Sequence, residues 1–126
     1  MKEFLLVGSG SFLGGASRYY LSGLLLQLAP NLKFPLGTFA VNLLGCLAIG
    51  IAAGLAEQHF LSPQQRILII SGFLGGFTTF SAFGLETIYL LRTQGIEFAL
   101  LNVLASVALC LLAVWAGLTI CEYLFT

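Results

Sequence analysis

Long apolar runs separated by short polar connectors organise this chain. Four runs stand out, at roughly residues 4–28, 34–56, 67–91 and 98–125. Each reaches the ~20 residues that a helix needs to cross the hydrocarbon core of a bilayer. The connectors carry the turn and charge signals. Pro30-Asn31-Leu32-Lys33, with Pro35, ends the first run. The polar stretch from Glu57 to Arg66 separates the second from the third, and Arg92 to Glu97 the third from the fourth. Ser62 before Pro63 reads as a helix N-cap with proline at the first helical position. The pattern predicts an all-α membrane protein, one four-helix transmembrane domain over residues 1–126. No connector has room for a soluble domain. The first run is too long for a secretory signal peptide, contains Arg18, and is followed by three more runs.

The third run departs from its own pattern. Its centre, residues 72–86, reads GFLGGFTTFSAFGLE. Gly75-Gly76 is a poor helix interior. Thr78, Thr79 and Ser81 carry hydroxyls that offer the backbone other partners. A helix broken near its middle is therefore predicted. Non-helical backbone at membrane depth is tolerated only where protein or a water-filled cavity satisfies the freed groups, and such breaks are where membrane proteins bind ions. Phe77, Phe80 and Phe83 recur every three residues, close to one helical face. Glu86 follows them, near membrane depth or at a vestibule wall.

Polar positions punctuate the other runs. Gly8-x-Gly10 is a weak dinucleotide signal, with no preceding strand and no βαβ unit. Gly10 and Gly14, like Gly50 and Gly54, read as GxxxG pairs for close helix packing. Arg18 is costly inside an apolar segment. It either sets an anion-attracting potential at a vestibule or snorkels to the interface beside Tyr19 and Tyr20. Thr38, Asn42 and Gly45 share one face of the second run. A buried Asn42 amide needs a partner, whether another helix, a backbone group, water or a permeating ion. Asn102, Ser106 and Cys110 make a thin polar stripe on the fourth run.

Composition narrows the chemistry. The chain is 59% hydrophobic and 8% charged, with mean hydropathy +1.02, where a soluble domain carries about 25% charged residues. Its solvent must be largely lipid. Five basic residues balance five acidic ones, all glutamate, so a basic nucleic-acid footprint is absent. Cys46, Cys110 and Cys121 sit in apolar runs without CxxC spacing and read as inert thiols. His59 is the lone histidine. With no aspartate and the lone histidine in a loop, neither a Ser–His–Asp triad nor a Cys–His pair can be assembled; GxxxxGK and a metal-ligand cluster are also lacking, and an enzyme is not expected.

Charge also bears on topology. Four spans place both termini on one side. Apart from Arg18, that side holds Lys2 and Arg66, and the other Lys33 and Arg92. The bias is 2 − 2 = 0, so the positive-inside rule gives little preference. Both orientations can then be made, and an antiparallel homodimer about an axis in the membrane plane becomes possible.

The phenylalanines suggest an anion. An aromatic ring has a negative face and a positive edge. Ring edges with hydroxyl and amide donors nearby can solvate a small hard anion without holding it too tightly to leave. Phe at i, i+3 in a membrane helix is equally compatible with core packing alone.

Four places in the chain resemble motifs of the Fluc (CrcB) fluoride channels. They are Gly14 with Arg18, Gly37-Thr38-x-x-x-Asn42-Leu43-x-Gly45, residues 72–86, and the polar positions of the fourth run. GGFTTFSAF is the most specific of them. The resemblance implies passive fluoride export through an antiparallel, dual-topology homodimer with two pores, in the bacterial inner membrane. It implies that Phe80, Phe83 and Asn42 line the pathway, with Thr38, Ser81 and Glu86 along or near it, Thr79 beside it and Ser106 on a polar track. It further implies a structural Na⁺ at the dimer centre, held by the carbonyls of Gly75 and Thr78 from both subunits. Cys110 and Val114 stand where hydroxyl residues are expected, a departure that affects the outer track. The alternative is a small proton-coupled exporter similar to the small multidrug-resistance family, with Glu86 as proton carrier. A third reading is a small membrane packing subunit.

Overall fold

The structure, a computed structural model, describes residues 1–125, and all their regular structure is helical. Helix α1 spans Lys2–Leu28 and α2 spans Leu36–Glu57. The third run is composite. A short α3 (Pro63–Arg66) leads directly into a π-helix over Ile67–Leu74, then α4 (Gly75–Phe77). Thr78 and Thr79 are extended, with ψ of 155° and 121°. Helix α5 (Phe80–Thr93) follows, and α6 (Ile96–Phe125) ends the described chain.

Local chemistry sets these boundaries. Ser62 and Gln65 form a reciprocal capping box, with Pro63 at the first helical position. The Ser62 amide donates to Gln65 Oε1 at 2.8 Å, and the Gln65 amide to Ser62 Oγ at 3.3 Å. Two otherwise orphaned donors are thereby satisfied. Gly95, at φ 102°, supplies the left-handed residue that turns the chain between α5 and α6.

Leu36–Glu57, Pro63–Thr93 and Ile96–Phe125 are long and apolar enough to cross a membrane. At 27 residues, α1 has the length, about 40 Å. Its glycines, serines and Arg18 dilute its apolar character, and it falls outside that group. Burial points the same way as hydropathy. The buried hydrophobic residues are mostly small, such as Ala52, Ala56 and Ala99, whereas Phe12, Leu104 and Trp115 are exposed. Small residues inside and large apolar ones outside is the arrangement of helices packed in lipid. The chain is an integral membrane protein.

Helix α2 is central, contacting α6 as well as α1 and the π-helix. Two of its contacts depend on glycine. A Cβ on Gly50 would collide with the Val114 carbonyl of α6, and one on Gly117 would lie 2.6 Å from the Leu47 carbonyl of α2. The interface of α1 with the π-helix is built likewise, since a Cβ on Gly14 would overlap the Phe73 carbonyl. At these places backbone meets backbone, which only glycine permits.

Two expectations need correction. Gly75 and Gly76 are themselves helical, and the extended residues are Thr78 and Thr79. Thr79 is stabilised in that form because its hydroxyl caps α5 and Asn42 takes its amide. Consequently Phe77 does not share a helical face with Phe80 and Phe83. It stacks on Phe73, centroids 5.9 Å apart, in the segment before the link. The run 67–74 is π-helical rather than α-helical. Its near-continuous apolar sequence, ILIISGFL, carries no periodicity to tell i→i+5 bonding from i→i+4.

Candidate functional site

The Thr78-Thr79 link is held by Asn42 of α2. Asn42 Nδ2 donates to the Thr79 carbonyl at 2.9 Å, and the Thr79 amide donates to Asn42 Oδ1 at 2.8 Å. Of the partners that the sequence leaves open for this amide, the structure selects a backbone group. One Asn42 N–H is uncommitted among the described residues, because the side-chain amide carries two.

The clamp redirects the helical ladder. In an unbroken helix the Thr79 amide would donate to the Gly75 carbonyl, and the Ala82 amide to the Thr78 carbonyl. Here the Thr79 amide goes to Asn42, and the Ala82 amide donates to Thr79 Oγ1 at 3.3 Å. The Gly75 and Thr78 carbonyls thus lose their helical donors. Upstream, the Thr78 amide and hydroxyl both donate to the Leu74 carbonyl at 3.0 Å, which ends the ladder.

Beside the link lies an open cavity of about 330 Å³, lined by Asn42, Thr79, Phe80, Phe83 and Ser106 among others. The rings of Phe80 and Phe83 lie 5.4 Å apart at 44°. Among the described residues, no Lys, Arg, Glu or His lines this space. Its polar groups are hydroxyls, thiols and amide, and the rest of its wall is apolar.

A second polar cluster supports the wall. Asn102, only 1% exposed, donates to Thr87 Oγ1 at 2.8 Å. Thr87 in turn donates to the Phe83 carbonyl at 2.7 Å, and Ser106 Oγ to Asn102 Oδ1 at 3.4 Å. A chain of bonds therefore runs from α6 to the backbone of Phe83. Farther along α2, Thr38 donates to Glu86 Oε1 at 2.7 Å, while the buried Glu86 Oε2 has no partner among the described residues.

The other residues singled out in the sequence lie apart. Ser81 is exposed and its Oγ sits 3.3 Å from Thr79 Oγ1. Arg18 of α1 is half-buried, with Nε buried and unpartnered among the described residues, and does not line the cavity. Val114 also lies outside it. Two contributors escape sequence reasoning. Thr87 is one of many threonines and gains meaning only from Asn102 beside it. Cys46 lines the cavity with Cys110, and its place one turn beyond Asn42 was the available signal.

Comparison with known proteins gives the family. Residues 5–118 match the family described as CrcB-like protein, Camphor Resistance (CrcB). A Methylobacillus flagellatus protein named fluoride-specific ion channel FluC is 47% identical over 118 residues, 93% of this chain and 92% of that one. A protein of the same name from Paracoccus denitrificans is 48% identical over 122 residues, 97% and 96% of the two chains. Another, from Geotalea daltonii, is 41% identical over 125 residues, 98% and 100%. With a family match over most of its length and relatives this similar end to end, the chain belongs to the CrcB family.

Proposed function

We propose that this protein is a fluoride-selective channel, and so not an enzyme, through which the toxic ion leaves the cell passively. The observation that carries the reading is the cavity, where two phenylalanine rings meet amide and hydroxyl groups and, among the described residues, no fixed charge. The names of the relatives supply the ion. Fluoride entering this space exchanges water for the positive edges of Phe80 and Phe83. The second Asn42 N–H adds a donor, and Thr38, Thr79, Ser81, Ser106 and Glu86 lie along or near the route. Without a cation beside it the ion is held weakly enough to move on. Arg18 raises anion concentration at a vestibule. The family match removes the basis for the multidrug-exporter alternative.

The working unit is an antiparallel, dual-topology homodimer in the bacterial inner membrane, with four crossings per chain and two pores. Two observations support it. Phe80 is 80% exposed in a single chain, leaving one side of the cavity open. The basic residues also show no bias between the two sides. The Gly75 and Thr78 carbonyls, released from the ladder, are hard oxygen donors that fit a small cation. From both subunits they hold one Na⁺, which neutralises the facing C-terminal ends of two interrupted helices. Cation-substitution crystallography of the dimer should give one anomalous site on the axis, and an anion or nothing there in a well-resolved map refutes this part.

The function is tested with sealed liposomes. Electrogenic fluoride efflux, followed by electrode, is the expected result. Proton-coupled organic-cation efflux without fluoride flux would return the exporter, and neither flux would leave a packing subunit.

A further inference from the structure

Cys46 of α2 and Cys110 of α6 both line the cavity. Both are free and half-buried, and the helices that carry them pack against each other beside that cavity. Neither is needed for fluoride solvation. The third cysteine, Cys121, is spent elsewhere, donating to the Ile51 carbonyl at 3.3 Å. Two thiols on separate helices, facing one space, form a bidentate donor set, and soft sulfur selects soft cations. Two ligands suffice for a metal that prefers linear coordination.

We propose that Cys46 and Cys110 form a two-coordinate site for a soft, thiophilic divalent cation of the Hg(II) class, whose binding obstructs the cavity. Charge favours the divalent ion. On binding, two S–H bonds break, two S–metal bonds form and two protons leave, with no change of oxidation state. The resulting bis-thiolate is neutral, as a space without a charged side chain requires. A monovalent soft cation would leave a net negative charge there. The bound ion sits among Phe80, Phe83 and Asn42, so it competes for the space that fluoride uses. That obstruction rests on the fluoride reading, whereas the binding itself does not.

The reduced, reconstituted protein receives one equivalent of Hg(II) per chain, then N-ethylmaleimide, and each cysteine is read by mass spectrometry. Cys46 and Cys110 should be protected together, with Cys121 no more protected than without metal. Protection of one without the other, or of neither, overturns the site. Cys46→Ser and Cys110→Ser should each retain at least about tenfold less metal against excess monothiol, about 1.4 kcal/mol or more. Equal retention in both variants and the unaltered protein is the contrary result. Fluoride efflux should fall at least about tenfold with metal and recover on adding a dithiol. Unchanged efflux with both thiols occupied overturns the obstruction alone, and protection without any fluoride flux in the metal-free protein would sink the channel reading while sparing the site.

Discussion

The two parts of the third run use opposite means to hold their place. Residues 63–77 present glycine to α1, so Gly72 and Gly76 lie against the backbone of Gly10 and Ser11. Their specificity comes from the absence of side chains. Helix α5 presents side chains, with Thr79 capping it, Phe83 tied through Thr87 to Asn102, and Glu86 bonded to Thr38. A Cβ on its own Gly84 would meet nothing within 4 Å. The first part is an anchor set by steric fit. The second is a polar scaffold with room around it, which suits a path for an ion.

The comparison is broken most severely at Gly14. Gly14→Val puts a branched side chain onto the Phe73 carbonyl, where backbone faces backbone and neither can yield. Overpacking of that kind costs about 1–3 kcal/mol or more, and loss of the folded species on size exclusion is expected. Gly15→Val is the control, since its Cβ meets nothing within 4 Å, and it should assemble normally. Equal behaviour of the two would mean that the glycine contact does not anchor the helix pair.

Next in size is Asn42→Leu. It keeps bulk but strips the Thr79 amide of its partner, at about 1–3 kcal/mol for one unsatisfied buried group, while the Thr79 carbonyl, as the N-cap of α5, keeps its helical bond. Thermal unfolding in detergent should show a lower midpoint, and fluoride flux should fall as the link loses its geometry. An unchanged midpoint would show that the clamp is dispensable.

Much of this architecture is legible in the sequence, for identifiable reasons. Length and hydropathy define the runs because lipid imposes them. The Ser62-Pro63 start is readable because capping is local. The interruption is readable only to within a few residues. Gly75-Gly76 signals weak helix, yet the extended residues are Thr78 and Thr79, because the deciding partner, Asn42, is 37 residues away. Separation along the chain likewise hides the Asn102–Thr87 bond, 15 residues apart, and the meeting of Cys46 and Cys110 at one cavity. Sequence spacing shows which residues share a helix face, but not which faces meet.

The central claim is that fluoride passes along the ring edges of Phe80 and Phe83. The direct measurement is fluoride efflux from liposomes holding the Phe80→Ile, Phe83→Ile double variant, after size exclusion has verified a folded assembly. Isoleucine keeps the site apolar but removes the positive edges. The account predicts that efflux falls at least about tenfold, ~1.4 kcal/mol on the barrier. Efflux equal to that of the unaltered protein would contradict it, reducing the two rings to packing and moving the pathway elsewhere.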